Sequence, residues 1–133
     1  MNERVEEECA LLEKTYSSVT YVFQGNLHWF LIGEYLLPSE FSPNTIEITF
    51  NVTVGHPIPK PYGFFIPSGI TYNNQVIVLK SPPSPPPFSG NWVFCSWDPV
   101  AWRPGTNIIN GDNLFGWSRS FRKGIIECSN LHT

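Results

Sequence analysis

The chain has 133 residues, of which 14% are charged, and a net charge of −3. That balance offers nothing to a nucleic-acid backbone or an anionic membrane surface, and no apolar run is long enough to span a bilayer. Aromatic residues make up 15% of the chain, enough for one core, so a single domain over residues 1–133 is expected. A charged fraction this low also predicts that part of the surface meets a partner protein.

The opening MNERVEEECALLEK is acidic and amphipathic, and reads as a helix rather than a secretory signal. Val5, Cys9, Leu12 and Tyr16 recur at steps of four, three and four, a single apolar stripe. Asn2 is the expected cap. Glu3, Glu6, Glu7 and Glu8 are expected on the opposite, solvated face.

Strands follow. Val19, Tyr21 and Phe23 alternate with Thr20, Val22 and Gln24, and the turn Gly25-Asn26 leads into HWFLIGEYLL. That second run is apolar on both faces in places, which predicts a central strand. Pro38 and the turn at Ser42 to Asn44 close it. Ile46, Ile48, Phe50, Val52 and Val54 then alternate with polar residues, the pattern of a half-buried antiparallel strand. No segment between these strands is a candidate helical crossover, so a meander of hairpins is expected.

The texture then changes. GHPIPKPYGFFIP carries prolines at 57, 59, 61 and 67 around a short strand, Gly63 to Ile66. Proline donates nothing to a ladder, so an extended, non-sheet approach is expected. SPPSPPPFSG, from Ser81 to Gly90, predicts a stiff surface loop. FCSWDPVAWRPG is expected to be irregular. From Asp112 onward, Leu114, Trp117, Phe121 and Ile125 keep helical spacing. The fold class predicted is α+β: an N-terminal helix, about four antiparallel strands, a proline-rich crossover, an irregular cysteine-bearing segment and a closing helix.

Cys95 is the residue with the most chemistry at stake. Free cysteine is among the most buried residue types, and Trp92, Phe94 and Trp97 surround this one, so inert packing is one reading. Three cysteines far apart show no metal spacing, and a reducing, cytoplasmic location and the absence of any cofactor are expected. A cysteine hydrolase needs a histidine base, and only His28, His56 and His132 are present, none in a recognisable dyad signature.

The order of motifs adds a further reading. An N-terminal helix, a strand meander, HPIPKPYGFFI, a cysteine and then Trp102-Arg103-Pro104 resembles the ubiquitin-conjugating enzyme superfamily, most closely its prokaryotic branch. The resemblance covers Met1 to about Pro104. It implies a carrier that accepts the C-terminus of a ubiquitin-like protein as a thioester on Cys95 from an adenylating activating enzyme and passes it to an acceptor. A JAB-type metalloprotease is an implied member of the same pathway. Such a carrier needs no triad, because cysteine is nucleophilic and the acyl group arrives activated. Asp98, three residues on, is the expected carboxylate that deprotonates the acceptor, with Asp112 in the next loop. Trp102 and Pro104 are expected to pack as a hinge. The family's His-Pro-Asn tripeptide is absent here. Asn74 is the candidate stand-in for its asparagine, against a plain turn role. That absence favours an alternative: a catalytically inactive variant of the same fold that binds a ubiquitin-like protein. A small structural or immunity protein of unrelated fold is the third reading.

Overall fold

The computed structural model describes residues 2–131. Helix α1 (Glu3–Glu13) is followed by strands β1 (Val19–Gln24), β2 (Leu27–Leu36), β3 (Phe41–Ser42), β4 (Thr45–Thr53), β5 (Phe64–Pro67), β6 (Thr71–Tyr72), β7 (Gln75–Val76) and β8 (Trp92–Cys95). Helices α2 (Leu114–Ser118) and α3 (Phe121–Cys128) close the chain. The principal sheet is antiparallel with strand order β1-β2-β4-β5-β8, and a small sheet has the order β3-β6-β7. The α+β class and the meander are as expected. The strand count and the cysteine-bearing segment are corrected: Trp92 to Cys95 pairs along β5 as a fifth, edge strand. Its four residues were too few to show a period against the proline loop before them. Among the described residues no helix is long and apolar enough to cross a membrane.

Local sequence explains the joints. Gly25 and Asn26 both take positive φ, 62° and 59°, the geometry of the tight turn that joins two antiparallel strands. The pairing of β2 with β4 slips between Ile32 and Tyr35. The extra residue puts both Ile32 and Tyr35 into the core, while Leu27, Trp29 and Leu31 join the outer-face cluster, so β2 is apolar on both faces. The predicted closing helix is two helices, because the chain leaves the helix at Arg119 and restarts with Ser120 at the cap of α3.

Pleating divides the sheet into two faces. Phe30, Ile32, Ile48, Phe50, Phe64, Ile66 and Cys95 lie in the core with Val5, Leu12, Leu114, Phe121 and Ile125 from the helices. Phe121 is central, stacked 4.1 Å from Phe64 and edge-on to Phe50 and Trp117. On the outer face Trp29, Phe65, Trp92 and Phe94 form a second cluster, joined by Val22, Leu27, Leu31 and Phe88. Phe88 belongs to the proline-rich loop, and its carbonyl accepts from Trp92 Nε1 at 3.1 Å. That loop is therefore pinned to the sheet rather than trailing in solvent.

Glu8 departs from its predicted place. It is fully buried, although it shares a run with Glu6 and Glu7. Its Oε1 accepts from Leu114 N at 3.0 Å, the first N–H of α2. Its Oε2 faces Arg4 Nε at 3.3 Å and His56 Nε2 at 2.7 Å. Arg4 also donates to the carbonyls of Gly105 and Asp112. Sequence spacing places Glu8 beside the stripe of Val5 and Leu12, but only the arrival of α2 and of the segment bearing His56 makes its burial tolerable. A buried carboxylate needs a full set of partners; Arg4 comes from the same helix, and His56 and Leu114 come from two distant parts of the chain.

Candidate functional site

Cys95 is separated by the pleat of β8 from two of the aromatic residues that surround it in sequence. Trp92 and Phe94 project to the outer face of β8, and Cys95 projects to the other, into the core. Its exposure is 0%. The thiol Sγ donates to the Gly124 carbonyl at 3.3 Å. Burial pushes the Cys95 thiol far above its ordinary range; the neighbouring Cys128 thiol adds to the rise, and Lys80 opposes it. A neutral, enclosed thiol is the opposite of an activated nucleophile.

The other predicted site residues lie elsewhere. Asp98, on the segment after β8, pairs with Lys60 Nζ at 2.7 Å. Asn74 sits exposed in the β6–β7 turn, where Asn73 and Asn74 both take positive φ, 48° and 68°. That is the turn role asparagine performs well. Asp112 Oδ2 accepts from the Arg103 amide and so shapes its own loop. Among the described residues no hydrogen bond or ion pair joins Cys95, Asp98 and Asn74. His28 is turned to Tyr21 at 2.6 Å and His56 to Glu8, so neither serves Cys95 as a base. His132 lies outside the described residues. Trp102 is partly buried and donates from Nε1 to the Pro57 carbonyl at 2.7 Å, a structural contact. It ties the segment after Cys95 to the proline-rich crossover.

The outer face holds a groove of about 600 Å³ between the sheet and the two proline-rich segments. Leu27, Phe65 and Phe94 contribute apolar surface, and Pro59, Pro61, Tyr62 and Pro83 line it from the loops. Tyr62 is 57% exposed. Gly63 makes the wall fit: its φ is +80°, and a Cβ there would overlap the Phe94 ring. Two cations border the groove. Lys60 is neutralised by Asp98, whereas Lys80 Nζ donates only to Ser96 Oγ, at 3.0 Å, among the described residues. The volume and lining suit a mainly apolar ligand with one anionic group. Sequence reading missed this site. The signal available was the pairing of two proline-rich stretches with alternating aromatics, but nothing in it told that both stretches would flank the same sheet face.

No protein-family model, curated protein or solved structure matches the chain.

The buried thiols and phenol have a consequence for pH. Burial, with Glu13, Glu8 and Glu6 adding, pushes the Cys9 thiol from 9.0 up to about 11. Burial, with Tyr16 adding, pushes the Tyr35 hydroxyl from 10.0 up to about 12. Cys95 moves in the same direction. All three are neutral in the native state. Above their ordinary values the unfolded chain releases protons first, so stability is complete below pH 9.0 and declines as pH rises through the folded values. The melting temperature should therefore fall continuously from about pH 9 to 11. A flat profile over that range would show that these groups are solvated.

Proposed function

We propose that this chain is a ubiquitin-conjugating-enzyme-like domain that works as a non-catalytic binding module, with the C-terminal tail of a ubiquitin-like protein as the occupant of the outer groove. One observation carries the reading. Along β8, Phe94 and the following Ser96 border the groove, while Cys95 between them faces the core. A tail seated in the groove is separated from the thiol by the sheet itself. A carrier would need the two on one surface.

The groove's chemistry supports that occupant. An extended chain end presents a row of side chains and one terminal carboxylate. Apolar walls can take the former, and Lys80, which lacks an acidic partner among the described residues, can take the latter. The resemblance also implies a docking surface for a larger partner on α1 and its adjoining loops. Support for it comes from a second cleft lined by Glu3, Glu7, Pro57, Ile58 and Pro104, with Ile58 80% exposed.

Titration of the isotopically labelled domain with candidate ubiquitin-like proteins tests the reading. Amide shifts are expected at Phe65, Lys80, Phe94 and Ser96, and they should vanish with a partner lacking its C-terminal residues. Lys80→Glu should weaken binding about tenfold, because a rim attraction becomes a repulsion. Binding that ignores the tail, or shifts that avoid the groove, would overturn the proposal.

The motif order favours one second reading, the thioester carrier. Cys95 precedes Trp102-Arg103-Pro104 at the spacing of that family's nucleophile. This reading requires the end of β8 to part from α3 before the activating enzyme can reach the thiol.

A further inference from the structure

The second cysteine beside Cys95 has no part in the groove. Helix α3 is seated on the end of β8 through residues spaced four apart: Ser120 at its cap, Gly124 and Cys128. Ser120 Oγ accepts from Trp97 Nε1 at 2.9 Å. Gly124 permits the approach, since a Cβ there would sit 2.7 Å from Trp97 Cγ. Two thiol contacts then cross between the elements in opposite directions. Cys95 Sγ donates to the Gly124 carbonyl at 3.3 Å, and Cys128 Sγ donates to the Ser96 carbonyl at 3.6 Å. Reciprocal bonds of this kind bring the two thiols together at the seam between β8 and α3. Cys128 is only partly buried, so an oxidant has a way in, whereas Cys95 has none of its own.

We propose that Cys95 and Cys128 form an oxidisable pair that closes to a disulfide and staples α3 to the edge strand β8. A hydroperoxide is the oxidant. The Cys128 sulfur attacks the peroxide oxygen; the O–O bond breaks, and a sulfenic acid and water (or an alcohol) result. The Cys95 sulfur then attacks the sulfenic sulfur. The S–O bond breaks, the S–S bond forms, and the departing hydroxide leaves as water with the Cys95 proton. Two thiols and one peroxide thus give one disulfide, with the peroxide reduced. The pair is confined by α3 and β8, so closure outpaces a second oxidation of Cys128. The reduced state keeps the ordinary thiol contacts, and thiol reductants restore it.

The test is mild hydrogen peroxide treatment of the folded chain, followed by mass measurement and peptide mapping without reduction. The expected product is a monomer lighter by about 2 Da, with Cys95 and Cys128 in one cross-linked peptide pair and Cys9 free. Its melting temperature should rise by roughly 5–15 °C, and dithiothreitol should reverse the shift. Cys128→Ser should abolish the cross-link, and Cys9→Ser should retain it. Mapping of the wild type decides the matter even if Cys128→Ser folds poorly. Oxygen addition at Cys128 without a cross-link, a disulfide through Cys9, or a linked dimer would each overturn the proposal, as would resistance of both thiols.

Discussion

Cys95 should be the slowest cysteine of the folded protein to react with iodoacetamide, by a factor on the order of 100 or more relative to Cys128, because alkylation must wait for local opening. Its thiol has no exposed surface, donates to Gly124, and is held neutral by burial and by Cys128. In denaturant the difference should disappear. Under native conditions, supplying an activating enzyme, ATP and a ubiquitin-like protein should give no thiol-sensitive adduct on a non-reducing gel. Cys95→Ala should bind the ubiquitin-like protein as the wild type does, because the groove lies across the sheet from the side chain. An adduct formed by the wild type and lost in Cys95→Ala would restore the carrier reading. Cys95→Ser would then be expected to give a thiol-resistant oxyester, since the hydroxyl is a weaker nucleophile and a poorer leaving group. The same result would show that β8 and α3 separate when the activating enzyme docks.

Glu8→Ala should cost about 3–5 kcal/mol of stability, the penalty for stranding the partners of a buried charge. Three donors lose a partner at once: the Leu114 N–H at the start of α2, Arg4 Nε and His56 Nε2. His56 already has Nδ1 buried without a hydrogen bond among the described residues, so it has no second contact to fall back on. Glu8→Gln should lose less, because the amide oxygen still accepts from Leu114 N while the ionic contacts weaken. Exposed Glu3→Ala and Glu7→Ala serve as controls and should stay within about 0.5 kcal/mol of the wild type. Urea titration measures all four. A Glu8→Ala midpoint close to the wild type, with unchanged slope, would mean that water reaches the cluster and replaces the carboxylate.

Periodicity alone determined much of the architecture. The apolar stripe of α1 from Val5 to Leu12, the turn at Gly25-Asn26 and the alternation of β4 from Ile46 to Val52 are local patterns that appear where their spacing places them, whereas Tyr16 lies past the end of α1 and Val54 is exposed past the end of β4. Local patterns work here because a helix or hairpin is built from neighbours in the chain, and its buried face must repeat with the backbone period. Two further elements were only half legible. In β2 the inserted residue shifts the phase of the core-facing set, from Phe30 and Ile32 to Tyr35, so no single period describes both halves. In the closing region the apolar spacing runs on through Arg119 and Ser120, although the helix does not.

Tertiary structure alone decided the fate of the chemically interesting side chains. Sequence leaves Cys95 open between an inert and a reactive residue. The pairing of Phe64 with Cys95 and Phe65 with Phe94 turns the thiol inward and Phe94 outward. A shift of one residue in that register would have reversed both, which is why composition could not settle it. Glu8 reads as one of a run of solvated acids, yet Arg4, His56 and Leu114 enclose it, and two of those three lie more than forty residues away. The groove and the thiol pair have the same origin. Each is assembled from segments that meet only after the sheet has formed, and no spacing along the chain encodes a contact between segments whose separation is set by the fold.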